Sequence, residues 1–364
     1  MNKINLEEIG LSESYIREAI KYNENLHLAR VSVQHKDLYK VITECGEIQA
    51  EISGKLHYTA TFDQDFPVVG DWVLVDRVDQ RGGNAIIRHV LPRKSCFERK
   101  AAGTGNKVQK VAANIDTLFI CMSLNNDFNL RRMERYLSIA WDSMSTPVIV
   151  LTKSDLCDDI QEKLREIESV AIGVDVVVTS GFSDEGYTGI LNYLKKGKTI
   201  AFIGSSGVGK STLINQLIGE QVLTTNGLRN DDKGRHTTTH RQLLLLPNGG
   251  LVIDTPGMRE LQIAGADLTQ SFGDIDEMAQ DCFFGDCRHE SEPKCAVRKA
   301  IEEGTLSPER FANYKKLQRE MTFVERKNTM SAAQLEKQKF IDMVGSLKGM
   351  KNFQKQNRKN KGNK

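Results

Sequence analysis

The segment Gly204-Ser205-Ser206-Gly207-Val208-Gly209-Lys210-Ser211 constrains this chain more than any other. It follows the apolar run KTIAFI and opens STLINQLI, the strand, loop and helix order that a Walker A phosphate loop requires. Its glycines let consecutive backbone N–H groups point at phosphate oxygens, and the helix that continues through Thr212 adds partial positive charge at its N-terminus. Lys210 reaches the β and γ oxygens, and the Ser211 hydroxyl is placed to ligate magnesium. Such a loop belongs to a buried sheet. The runs IDTLFIC, PVIVLT, VDVVVT and GLVIDT are, like KTIAFI, continuously apolar, as strands covered on both faces are. Helical stretches at Leu130 to Ser143 and Ile160 to Val170 lie between them, which predicts a doubly wound α/β domain.

Three further motifs accompany the loop. Asp254-Thr255-Pro256-Gly257 follows the strand LVI about 45 residues downstream, where Asp254 fits a magnesium-side carboxylate and Gly257 a backbone contact to the γ-phosphate. Thr152-Lys153-Ser154-Asp155 ends the strand PVIVL, at the sheet edge where nucleotides bind. Asp155 can accept both N1–H and the exocyclic N2–H of guanine, and Lys153 can lie along the base. Adenine offers no such donor pair, so the carboxylate selects guanine. Thr179-Ser180-Gly181 ends the next strand and can bring a backbone N–H to guanine O6. In the usual GTPase the phosphate loop precedes the base loop; here the base loop comes first, and joining the ends of the domain restores the usual order. That predicts a circularly permuted P-loop GTPase. Between the phosphate loop and Asp254 lies Gly234-Arg235-His236-Thr237-Thr238-Thr239, where Thr239 or Thr238 is the switch threonine for magnesium and γ-phosphate. Met258 stands where many GTPases orient water with Gln; a thioether cannot, so unassisted hydrolysis is expected to be slow. The segment after Gly257 leads straight into the C-terminal part, where nucleotide state should be felt.

With 364 residues the chain has room for about two or three domains. Residues 1–25 read as an N-terminal extension with a short helix at Ser14 to Tyr22, and 26–108 as a small barrel. There LARVSV, LYKVITE, EIQAEIS, DWVLVD and NAIIRHV alternate with period two between Gly54, Pro67, Gly70 and the Gly82-Gly83 pair. Five short strands suit an OB-fold; an SH3-like barrel is the alternative the pattern leaves open. The GTPase domain is placed at 109–265. In the next stretch, 266–345, Cys282, Cys287, His289 and Cys295 supply three thiols and one imidazole within fourteen residues, the donor set of one closed, structural zinc site. A helix opens at Ser307-Pro308, and Ser331 with Gln334 marks the start of another. Residues 346–364 are a basic tail with the composition of disorder. Seven cysteines, an odd number unevenly spread, make no disulfide framework. With no apolar leader and no apolar run near the roughly 20 residues that span a bilayer, a soluble cytoplasmic protein with no membrane partner is expected.

Charge is strongly asymmetric. Arg310 to Lys364 holds 15 Lys+Arg against 4 Asp+Glu, or +11, so the first 309 residues carry −9 of the +2 total. An acidic body with a basic arm suits a polyanionic partner.

The barrel texture, GSSGVGKST, GRHTTTH, DTPG and the C-x4-C-x-H-x5-C cluster together resemble the ribosome small-subunit-dependent GTPase A (RsgA) family from about Leu26 to Val324. The resemblance implies an N-terminal OB-fold barrel, a central α/β circularly permuted GTPase domain and a C-terminal α-helical zinc-binding module. It implies a monomer that binds GTP and GDP with magnesium, engages the small ribosomal subunit and its rRNA late in assembly, and is released after subunit-stimulated hydrolysis. The family's catalytic histidine falls on His236, alongside Lys210 and Thr239. Thr152 replaces the commoner Asn of the base motif, which is expected to loosen the link between base loop and phosphate loop. Two alternatives remain: a nucleotide-gated RNA-binding adaptor with incidental hydrolysis, and a large-subunit assembly GTPase. Deleting Leu347 to Lys364 removes seven basic residues. The expected result, measured by co-sedimentation across a salt series, is weaker subunit binding with a flatter salt dependence and intact basal hydrolysis. An unaltered salt slope would make the tail a solvated end.

Overall fold

The computed structural model describes residues 3–22, 25–35, 38–59, 66–100, 108–180, 187–219, 241–247, 249–254, 268–330 and 334. They fall into two compact units, Met1–Asn313 and Tyr314–Lys364.

The first unit begins with a 3-10 turn at Leu6–Ile9, whose Glu7 N–H is capped by the Asn5 side chain, and helix α1 (Glu13–Ile20). Five strands then make the barrel: β1 (His27–Gln34), β2 (Tyr39–Thr43), β3 (Gly46–Ile52), β4 (Trp72–Val75) and β5 (Ala85–Val90), with the short helix α2 (Gly54–Thr59) after β3. The order β1-β2-β3-β5-β4 returns to β1 through the pairing of His27 to Arg30 with Val75 to Trp72, so the sheet closes on itself. Antiparallel neighbours with one parallel pair, β3 with β5, and a helix between β3 and β4 make this an OB-type barrel. Alternation does the work: in β3 Ile48 and Ala50 point inward among Val31, Val41, Val73 and Ile87, while Glu47, Gln49 and Glu51 face out. A hairpin that periodicity did not reveal, β6 (Cys96–Lys100) with β7 (Val108–Ala113), follows the barrel.

The nucleotide-type domain is built from β8 (Thr117–Ser123), α3 (Leu130–Asp142), β9 (Thr146–Thr152), α4 (Ile160–Glu168), β10 (Asp175–Val178), α5 (Thr188–Leu191), β11 (Thr199–Ile203), α6 (Lys210–Ile218), β12 (Arg241–Leu245) and β13 (Leu251–Asp254). Its strands lie in the order β10-β9-β8-β11-β13-β12, all parallel except β12. The strand before the phosphate loop, β11, is therefore central in the sheet although it is the fourth strand of this domain along the chain. Phe119, Val150, Ile200, Phe202, Leu213 and Val252 are buried between sheet and helices, as continuous apolar runs require. β12 also pairs with β1, Val33 opposite Gln242, and so joins the barrel and the largely parallel sheet into eleven strands.

α7 (Thr269–Gln280) and α8 (Ala296–Glu302) follow, and α9 (Pro308–Thr329) starts where Ser307-Pro308 predicts. The helix expected from Ser331 lies outside the described residues apart from Gln334. Within the second unit, Gln318 donates to the Tyr314 hydroxyl at 2.7 Å and Thr322 to the Gln318 carbonyl at 2.9 Å along α9. In the first unit a buried ion network joins α7 and the first turn of α9 to α3. Glu134 on α3, fully buried, accepts from Arg310 at 2.6 Å and Asn313 at 2.5 Å. Arg310 also donates to Asp274 at 3.1 and 2.8 Å and to the Ser271 carbonyl at 2.9 Å, with its guanidinium 4.9 Å from the Phe272 ring. Burial works against the Arg310 charge, but Asp274 and Glu134 more than offset it and raise its pKa. Removing one member of such a network strands the other. Glu134→Ala is expected to cost about 3 kcal/mol, the low end for a broken buried pair because Asp274 remains. The readout is denaturant unfolding, and an unshifted transition would mean the network contributes nothing.

Candidate nucleotide site and metal centre

Because β8, β9, β10, β11 and β13 run parallel, their carboxyl ends at Ser123, Thr152, Val178, Ile203 and Asp254 lie along one edge. The loop from Gly204 to Gly209 leaves β11 at this edge. Gly204 has φ of 149°, and a Cβ there would lie 2.5 Å from the Cys121 carbonyl oxygen, so no side chain fits. Gly209 has φ of 107° and caps α6 without a side-chain hydrogen bond. With glycine at the N-cap, the first turn of α6, at Lys210, Ser211 and Thr212, opens toward the loop with no cap side chain from Gly209, the position at which a helix N-terminus receives phosphate. The Lys210 ammonium donates to the Gly204 and Ser205 carbonyls, both at 2.7 Å, and is held along the loop. Ser206, Gly207 and Val208 complete the turn. Asp254 ends β13; burial pushes its carboxyl above the usual carboxylate range while the Lys210 charge pulls it down. A largely buried carboxylate in that state gains from a cation.

The base-loop residues are brought to the phosphate loop. The Thr152 hydroxyl donates to the Val208 carbonyl at 2.6 Å. The exchange of Asn for Thr thus still leaves one short hydrogen bond between base loop and phosphate loop. Lys153 takes a left-handed φ of 57°, and Ser154–Leu156 form a 3-10 turn that presents Asp155. The Ser180 hydroxyl donates to Asp155 at 2.9 Å, and the Ser154 N–H to the Thr179 carbonyl at 3.2 Å. Two loops that sequence linked only by position are thus bonded around the carboxylate assigned to guanine. Gly181, His236, Thr238, Thr239, Gly257 and Met258 lie outside the described residues.

Sequence reasoning missed a third loop at the edge. Between β8 and α3, Asp127 accepts from the Ser205 hydroxyl at 2.5 Å and from Arg132 at 2.9 and 2.8 Å. Its signal was the Asn125 and Asn129 pair, an Asx-type turn followed by a helix cap directly after a buried strand.

Cys282, Cys287, His289 and Cys295 converge between α7 and α8, with their four ligand atoms all within 4.8 Å of one another. Cys282 and Cys295 sulfurs are 3.8 Å apart, and the His289 Nδ1 lies 3.6 Å from Cys282 and 3.3 Å from Cys295. A tetrahedral ion bound about 2.3 Å from thiolates sets its ligand atoms roughly 3.5 to 3.8 Å apart, so the donor set fits one. His289 and Lys294 take left-handed φ values of 60° and 56°. The loop is braced by Glu292, whose carboxylate accepts the N–H groups of Arg288, Glu290 and Ser291 at 3.1, 2.9 and 3.0 Å. These and its own backbone N–H hold its pKa down at about 2.

A family profile described as RsgA GTPase matches residues 90–264. The chain is 49% identical over 349 residues to "Small ribosomal subunit biogenesis GTPase RsgA 2" of Lactiplantibacillus plantarum, covering 96% of this chain and 97% of that one. It is 42% identical over 335 residues to "Small ribosomal subunit biogenesis GTPase RsgA" of Methanosarcina acetivorans, covering 91% and 89%. Among solved structures, YjeQ from Thermotoga maritima is similar with a TM-score of 0.60 and 30% identity, over 82% of this chain and 99% of that one. YloQ, described as a circularly permuted GTPase, shares the fold at 24% identity and a TM-score of 0.59, over 82% and 96%. For the Cys/His cluster, Cys295→Ser is expected to abolish a bound metal that the unaltered chain holds at about one ion per molecule. Elemental analysis of purified protein measures this, and retention of full metal by the variant would remove Cys295 from the ligand set.

Proposed function

The chain belongs to the RsgA family of GTPases, and from that premise we propose that it hydrolyses GTP in late assembly of the small ribosomal subunit, stimulated by the subunit itself. The observation that carries the nucleotide reading is the bonding of three separate segments at one sheet edge: Thr152 to Val208, Ser180 to Asp155, and Lys210 to its own loop. In this reading Asp155 reads the guanine N1–H and N2–H, with Lys153 along the base and the Ser180 hydroxyl orienting the carboxylate. The loop from Gly204 through Thr212 cradles the phosphates. Lys210 carries charge to the β and γ oxygens, and its preset position lowers the reorganisation needed when charge develops there.

Magnesium fits Ser211 and Asp254, with Thr239 or Thr238 as the third protein group, and Gly257 would bring its N–H to the γ-phosphate. When bound, the ion would neutralise the negative charge that develops on the phosphates. His236 is assigned to the hydrolytic step because Met258 cannot orient water. Zinc is the best fit to the Cys/His cluster: three thiolates and one imidazole leave no open position, so the ion would shape the module and take no part in hydrolysis. The protein is read as a cytoplasmic monomer; among the described residues no helix is long and apolar enough to cross a membrane. The +11 between Arg310 and Lys364 supports rRNA as the surface it meets.

Phosphate release with and without small subunits is the test. The expected outcome is slow basal turnover, at least about tenfold faster with small subunits, unaffected by large subunits, and abolished by Lys210→Ala. Turnover that stays basal under saturating subunits would favour the adaptor reading, which the Met258 thioether supports.

A further inference from the structure

Asp127 lies outside every motif that defines the nucleotide site, yet it touches the phosphate loop. The loop that carries it is built to hold it there. Asn125, just past the end of β8, accepts from the Ser123 hydroxyl at 2.9 Å and from the Asp127 N–H at 3.0 Å. Asn129 caps α3 by accepting the Arg132 N–H at 2.9 Å. Arg132, one turn into α3, then reaches back to both Asp127 oxygens at 2.9 and 2.8 Å. A turn, a cap and a two-oxygen ion pair leave the carboxylate little freedom. Its remaining partner is the Ser205 hydroxyl at 2.5 Å.

Ser205 is a two-sided residue. Its hydroxyl is held by Asp127, while its carbonyl accepts the Lys210 ammonium at 2.7 Å. The orientation of the Ser205 carbonyl, and with it half of the visible seat of Lys210, is therefore set from outside the phosphate loop. We propose that Asp127 is a positioning residue for GTP and GDP binding: through Ser205 it fixes the carbonyl that holds Lys210 in its phosphate-binding place. This rests on the reading of the loop as a nucleotide site. An acidic group beside a polyphosphate would ordinarily repel it, and here the charge is matched. Burial raises the Asp127 pKa, but the Ser205 and Arg132 hydrogen bonds and the charges of Arg132 and Lys153 outweigh it, so the carboxylate stays ionised and paired. Preorganisation is the gain: a lysine already seated loses less freedom when the nucleotide arrives.

The test is a double-mutant cycle on the full chain, with affinity for a fluorescent GDP analogue measured by titration and unfolding temperature followed in parallel. Asp127→Ala and Ser205→Ala are each expected to raise the dissociation constant about tenfold, and the double variant no more than about twofold beyond either single, because the two side chains act as one unit. Asp127→Asn, whose amide oxygen still accepts from Ser205, should lose less than Asp127→Ala. A folded Asp127→Ala chain with unchanged affinity, or a double variant whose loss is the product of the singles, overturns the proposal. A lowered unfolding temperature with unchanged affinity does the same, since it marks a role in stability alone. If the unaltered chain fails to bind GDP, the nucleotide reading itself falls, and this one with it.

Discussion

One buried guanidinium holds together the parts on which everything else is mounted. Arg30, on a barrel strand and almost wholly buried, donates to the Gly70 carbonyl at 3.3 Å in the barrel, to the Ile9 carbonyl in the N-terminal turn, to the Asn114 carbonyl at 3.4 Å after the β6–β7 hairpin, and to the Thr199 hydroxyl at 2.8 Å. Thr199 opens β11, the strand that delivers the phosphate loop. A planar group with five fixed donors can serve four separate segments at once; no other side chain can. None of its hydrogen-bond partners named here is a carboxylate. Burial accordingly lowers its pKa to about 10, opposed by Tyr15, Asp116 and Asp71, and the group still carries its charge at neutral pH. Asn114 completes the junction: left-handed at φ 59°, it donates to the Gly70 carbonyl at 3.0 Å and accepts from the Tyr15 hydroxyl at 2.7 Å.

From that junction the physical organisation runs outward in two directions. β1 pairs with both barrel neighbours and, at its far end, with β12, so barrel and GTPase sheet share one continuous hydrogen-bonded surface. On the other side α3 carries contacts of opposite reach. Its start holds Arg132 against Asp127 and so faces the phosphate loop; Glu134, two residues on, faces α7 and the first turn of α9 through Arg310. One helix thus touches both the nucleotide edge and α7, the helix that leads into the Cys/His cluster. Partly exposed pairs such as Arg132 with Asp127 are weak by themselves, and their value here comes from geometry. The Glu134 network differs: it is buried, so losing one partner exposes the full desolvation penalty of the other.

Much of this was legible in the residues. The phosphate loop, base loop and Cys/His cluster are short and local, and each needs particular residue types at close spacing. Period-two runs marked the five barrel strands to within a residue or two, and continuous apolar runs marked the parallel ones. What escaped was long-range or weakly patterned. β6 and β7 hold charged residues that blur alternation, and β12 is a short strand that pairs with the adjacent β13 on one side and with the distant β1 on the other. Thr152 lacks the amide of Asn, yet its hydroxyl donates to the Val208 carbonyl in the phosphate loop, a contact 56 positions away that only the packed sheet brings about.

By itself the sequence determined the kinds of chemistry available: a glycine-rich loop between strand and helix, a carboxylate on a loop at the end of a parallel strand, a set of three thiols and one imidazole, and their order along the chain. Each motif follows from residue identity and spacing within a dozen or so positions, where chain connectivity limits the possible geometry, and their order is read directly along the chain. Only the tertiary structure decided how the sites are supported. Arg30 meets Thr199 across 169 positions, Glu134 meets Arg310 across 176, and Asp127 meets Ser205 across 78. No periodicity encodes such pairings, because they exist only once sheets and helices have packed and a buried donor must find whatever acceptor the fold has brought beside it.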